Sequence, residues 1–114
     1  MISTLGSIVR SFFEDFLKVQ KGLRPASVCS YRDALRLFLS FVSTTAGRPI
    51  TKLVLEDLTS ERVVSFLAHL EKAPGNHIRS PNQRLAAVRT FLRYVATRVP
   101  EMLDTCQRVV ATPV

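Results

Sequence analysis

Tryptophan is absent from this sequence, and cysteine, histidine and tyrosine occur only twice each. The cysteines, Cys29 and Cys106, stand far apart with no CxxC pair, and His69 and His77 have no metal-ligand spacing. Neither a zinc site nor any other metal or cofactor is expected. Two reduced cysteines suit an intracellular protein. No apolar run is long enough to cross a bilayer. The opening M-I-S-T-L-G-S-I-V-R lacks the charged start and the long apolar core of a signal peptide. The expectation is a cytoplasmic chain with no membrane partner.

Carboxylates are scarce as well. Nine Asp and Glu face 16 Lys and Arg, for a net charge of +7 and a pI near 10.3. Twelve of the 16 are arginine, whose fork suits phosphate and guanine. Such a surplus on a small domain points to a polyanion, nucleic acid before an acidic membrane surface. With 46% apolar residues, 114 residues are enough for one domain with a modest core, which excludes a disordered basic tail.

The apolar residues recur at helical steps throughout. Leu5, Ile8, Val9, Phe12, Phe13, Phe16 and Leu17 predict a first helix over Thr4 to Gln20. Gly22 is placed to end it in the left-handed conformation, and Pro25 to open the next. Val28, Tyr31, Leu35, Phe38 and Val42 predict a second helix over Pro25 to Val42. Its other side bears Cys29, Ser30, Arg32, Asp33, Arg36 and Ser40, with Arg32 and Arg36 one turn apart. Ser43 to Thr51 reads as a loop. Lys52 to Leu58 is a β-prone connector, but no second alternating run exists to pair with it. A third helix follows from Thr59 or Ser60 to Lys72, with Val63, Val64, Phe66, Leu67 and Leu70 as its expected buried stripe. A loop over Ala73 to His77 precedes the fourth helix. A short last helix spans Pro100 to Val109, and residues 111–114 read as the start of a linker after a domain of residues 1–110.

The fourth helix, Arg79 to Arg98, carries the most information. Ser80 is a candidate cap, Pro81 suits the first helical position, and Gln83 completes a capping box. Leu85, Val88, Phe91, Leu92 and Val95 form one face. The opposite face carries Asn82, Gln83, Ala86, Arg89, Thr90 and Arg93, with Arg79 just upstream. No acidic residue occurs between Glu71 and Glu101. An apolar helix with amides, then arginines, on its outer side suits a DNA groove: amides read base edges and arginines hold phosphates. The candidate DNA-binding residues are therefore Arg79, Asn82, Gln83, Ala86, Arg89, Thr90 and Arg93 here, with Ser27, Ser30, Arg32 and Arg36 in the second helix. Arg84 lies nearer the apolar boundary, where it would brace a neighbouring helix.

The segment G-L-R-P-A-S-V-C-S-Y-R-D-A-L-R-L-F-L-S-F-V resembles the second-helix signature of the N-terminal, core-binding domain of tyrosine recombinases of the phage-integrase type, with Tyr31, Leu35, Phe38 and Phe41 or Val42 in place. L-E-D-L-T-S-E-R-V-V-S-F-L-A-H-L and N-Q-R-L-A-A-V-R-T-F-L-R-Y-V resemble the third and fourth. One departure is Arg24, where that family often has Ser or Thr; arginine cannot accept a capping hydrogen bond. The resemblance implies an all-α, SAM-like bundle of four main helices plus a short fifth. It implies one half of a clamp on double-stranded DNA at a recombination core site, with helices two and four in the major groove. It also implies a separate C-terminal catalytic domain and other recombinase protomers as partners. No catalytic residue is expected in this chain, and Tyr31 and Tyr94 are not nucleophile candidates. A helical protein–protein interaction domain whose basic surface takes an acidic partner is the alternative. A helix-turn-helix repressor ranks below both, because the loops are longer than its tight turn.

Overall fold

The computed structural model describes residues 5–72 and 79–110; the side chains of residues 20, 71, 79–83 and 110 lie outside that description. The expected Ala73–His77 loop, the proposed Ser80–Gln83 capping box and the linker start at 111–114 fall there too. All regular elements among the described residues are helical. They are α1 (Leu5–Ser11), which continues as a π-helical segment (Phe12–Gln20), then α2 (Pro25–Ala46), α3 (Ser60–Lys72), α4 (Arg79–Arg98) and α5 (Leu103–Val110). Short 3-10 turns lie at Ile50–Lys52, Leu55–Asp57 and Pro100–Met102.

The first helix is thus not α-helical to its end. Its fully buried residues explain why. Leu5, Ile8, Phe12 and Leu17 step by three, four and then five, and a step of five is the π repeat. The segment closes with Lys21 N–H on the Phe16 carbonyl at 2.8 Å and Leu23 N–H on the Leu17 carbonyl at 3.0 Å. Gly22, at φ 60°, makes that reversal. Helix α2 begins at Arg24 and Pro25 with no side-chain cap, as the arginine there requires. It runs one turn past the expected end at Val42. Thr44 and Thr45 donate back to the carbonyls of Ser40 (3.1 Å) and Val42 (3.2 Å), and Gly47, at φ 69°, ends the helix.

The connector after α2 is not a strand. Its Leu53, Leu55 and Leu58 are buried, and Asp57 holds its shape. The Asp57 carboxylate accepts from Val54 N–H at 3.0 Å and pairs with Arg48 at 3.7 Å, while Arg62 donates to the Asp57 carbonyl at 2.8 Å. Arg48 and Arg62 are therefore occupied structurally. Thr59 caps α3, its hydroxyl accepting from Arg62 N–H at 3.2 Å. Val63, Phe66 and Leu70 are buried in α3, but Val64 is 50% exposed, against expectation. Adjacent helical residues point about 100° apart, and α3, packed less centrally than α4, turns Val63 rather than Val64 to the core.

Helix α4 is the central element, packed against α2, α3 and α5. Its Phe91, Leu92, Val88 and Val95 have no exposed surface, and Phe91 meets Phe12 edge-on at 5.2 Å. Tyr94 is buried beside Phe12 and Phe16, with its hydroxyl hydrogen-bonded to Ser11. Helix α5 buries Met102 (from the preceding turn), Cys106 and Val109 beneath α4, leaving Leu103 about half exposed.

Both cysteines are free, Cys29 exposed and Cys106 buried. The Cys106 thiol donates to the Leu92 carbonyl at 2.9 Å. Burial pushes its pKa up, against an opposing backbone hydrogen bond at Ala96. Since the thiolate is the reactive form, Cys106 is doubly protected. A maleimide at neutral pH is expected to label one thiol in the folded chain and two in denaturant. Equal labelling rates for both thiols in the folded chain would contradict this packing of α5.

Candidate nucleic-acid interface

Packing leaves one strip of α4 facing outward. Leu85, Ala87, Val88, Phe91, Leu92, Tyr94 and Val95 are buried. Ala86, Arg93 and Thr97 are exposed, and Arg89 and Thr90 are half-buried at the margins. The 20 residues of α4 include no Asp or Glu. The strip therefore carries arginine and no carboxylate of its own. Thr90 donates its hydroxyl to the Ala86 carbonyl at 2.9 Å, a bond that leaves its lone pairs outward. Arg79, Asn82 and Gln83 belong to the first turn of the same helix, but their side chains lie outside the described residues.

Beside this strip α2 and α4 form an open cleft of about 390 Å³. Ser27, Ser30, Tyr31, Asp33 and Ala34 line it from α2, and Arg84, Ala86 and Ala87 from α4. Ala34 and Ala87 are both buried, and their small side chains let the two helices approach. The cleft thus joins three of the residues expected from the sequence: Ser27, Ser30 and Ala86. Ser30 donates to the Ala26 carbonyl at 3.3 Å, so its oxygen can still accept.

Arg32 and Arg36 are exposed but do not line this cleft. At 100° per residue they lie about 160° and 120° around α2 from Ser30. Helix α2 therefore offers hydroxyls, not its two arginines, to the wall it shares with α4. Five lining residues are not among the candidates: Tyr31, Asp33, Ala34, Arg84 and Ala87. Their signal was available in part, since Arg84 stands at the apolar boundary of α4. Asp33 brings a negative charge to one lip, which disfavours a phosphate there and suits a donor such as the amino group of cytosine or adenine.

Among the described residues no cluster of His, Cys, Asp and Glu could hold a metal ion, and no helix is long and apolar enough to cross a membrane. The surface chemistry is hydroxyls, arginines and small side chains around one helix.

Comparison with known proteins bears on what such a surface serves. The family model described as "Phage integrase, N-terminal SAM-like domain" matches residues 9–98. Two proteins of Sinorhizobium fredii are similar to the chain. "Putative integrase/recombinase y4rD" is 37% identical over 110 residues, covering 96% of this chain and 39% of that protein. Its counterpart y4rC is 36% identical over 111 residues, covering 97% of this chain and 33% of that protein. The chain thus spans between a third and two fifths of the length of these relatives. No solved structure matches it.

Proposed function

The chain belongs to the phage-integrase family, as its N-terminal SAM-like domain, and from that premise we propose that it binds double-stranded DNA as the N-terminal half of a recombinase clamp. The observation that carries the proposal is the outer strip of α4, cationic and free of carboxylates, beside the hydroxyl-lined end of α2. Asn82, Gln83 and Ala86 read base edges in the major groove, the amides suiting adenine and the alanine methyl suiting thymine. Arg79, Arg89 and Arg93 hold phosphates, with Thr90 beside them. Ser27 and Ser30 add contacts from α2, and Arg32 and Arg36, on the other flank of that helix, reach the backbone outside the cleft.

Residues 1–110 form the DNA-binding domain and residues 111–114 begin the linker to a catalytic domain. That domain and further protomers on the same DNA are the protein partners. This chain holds and positions the duplex, and strand cleavage belongs to the catalytic domain. The resulting activity of the whole protein is site-specific integration or recombination.

Salt dependence tests this directly. Each phosphate neutralised adds about 0.9 to the slope of log affinity against log salt. With four to six contacts, affinity for any duplex should fall by about 10²–10³ between roughly 50 and 200 mM salt. Titrating a labelled duplex by fluorescence anisotropy reads this. An absence of binding at the lower salt would overturn the proposal. Binding instead to an acidic protein, with indifference to DNA, would favour a protein-interaction role.

A further inference from the structure

A second cleft lies at the other end of the α4 strip, against the end of the π-helical segment, with a volume of about 460 Å³. Phe16 and Tyr94 form its floor, their rings 5.2 Å apart. Three cations surround it: Lys21, Arg93 and Arg98. Thr90 and Thr97 complete the lining, and no carboxylate contributes. Among the described residues no ion pair neutralises Lys21, Arg93 or Arg98.

We infer that this cleft is an anion site that grips a backbone phosphate of the duplex at the wall of the groove. The inference rests on DNA binding by the domain, and it adds Lys21 and Arg98 to the contact set. Two of the cations are held in place in advance. The Lys21 ammonium stands over the Phe16 ring at 5.6 Å, and the Arg98 guanidinium over the Tyr94 ring at 5.0 Å. A ring face orients a cation without neutralising it, so little side-chain freedom is left to lose when an anion arrives.

The ligand class follows from what the cleft lacks. Tyr94 is buried with its face under Arg98, and Lys21 stands over the half-buried Phe16 ring, so neither ring is open for a base to stack on. Thr90 and Thr97 donate their hydroxyls to the carbonyls of Ala86 (2.9 Å) and Tyr94 (2.6 Å), so donors to an incoming oxyanion come from the cations. Helix geometry supplies the placement. At 1.5 Å per residue, Arg93 lies about 10 Å along α4 from Ala86, and Thr97 about 16 Å. The major groove is about 12 Å wide. With Asn82 and Ala86 over base edges, the far end of the helix passes over the phosphates bordering the groove. Arg98 has a local role as well, since a cation at a helix C-terminus is favoured by the helix dipole. A merely local role would not change how binding responds to salt.

The test uses the 114-residue chain carrying Lys21→Gln, Arg98→Gln, both together, or Arg98→Lys, titrated with duplex across roughly 50–200 mM salt. Each Gln substitution should weaken binding about 3–10-fold for every sequence alike and take part of the salt slope, and the pair should lower the slope by up to about 0.9, the share of one phosphate. Arg98→Lys should keep the parental slope. A double Gln variant that is folded by circular dichroism and keeps the parental slope and affinity would overturn the anion site while leaving DNA binding by the domain intact. A parental chain that ignores duplex altogether would overturn both.

Discussion

Replacing Phe12 with alanine should lower the unfolding free energy by about 3–5 kcal/mol, as deletion of a fully buried aromatic does. Phe12 has no exposed surface, and its ring meets those of Phe13, Phe16, Tyr31, Phe91 and Tyr94 at 5.2 to 6.1 Å. It therefore joins the first helix to both α2 and α4. The cavity it leaves would be bounded by three elements that cannot all move inward together. A domain of this size has about 5–15 kcal/mol in total, so the variant would retain only a fraction of its stability. Urea unfolding followed by circular dichroism reads the change as a lower midpoint at unchanged slope. Phe13→Ala is the internal control: Phe13 is adjacent but only half-buried, and its loss should cost clearly less. Equal effects at the two positions would mean that the packing that turns Phe12 rather than Phe13 into the core is wrong.

That packing also marks where local sequence signals stop. The start of α3 was legible because a threonine hydroxyl serves an N–H three residues on, a purely local relation. The end at Gly22 was legible for the same kind of reason, since a left-handed residue selects glycine. Gly47, however, was read as part of a loop and not as the residue that closes α2, so the last turn of α2 was missed. The π segment was not legible. The doublets Phe12–Phe13 and Phe16–Leu17 satisfy a step of four and a step of five equally well, and only docking against Phe91 and Tyr94 chooses between them. Val63–Val64 is the same ambiguity in α3.

The candidate interface divides along the same line. The outer strip of α4 follows from a helix long enough for its apolar side to be unmistakable. Which flank of α2 abuts that strip depends on how two helices dock. The arginines at 32 and 36 stand out by charge, whereas the wall shared with α4 is lined by small residues, Ala34 and Ala87 among them. Lys21 and Arg98 belong to a connector and a helix end. Nothing in their spacing shows that the chain folds them onto neighbouring rings around one cleft.

Replacing Arg89 and Arg93 together with alanine should weaken duplex binding by about 10–100-fold near 100 mM salt and reduce the salt slope by about 1 to 2, whatever the sequence. The two differ in how cleanly they report. Arg93 is exposed, so its loss removes charge and little packing. Arg89 is half-buried, so a thermal melt must accompany it to separate lost packing from lost charge. Asn82→Ala supplies the contrast. An amide that reads a base contributes about 1–3 kcal/mol of discrimination against the wrong base and nothing to the salt slope. Once a preferred duplex has been selected from a random pool, Asn82→Ala should bring preferred and random duplexes closer in affinity, while the arginine pair should shift both in parallel. If Asn82→Ala also shifts both in parallel, the base-reading end of α4 is misplaced, and the strip holds DNA through its backbone alone.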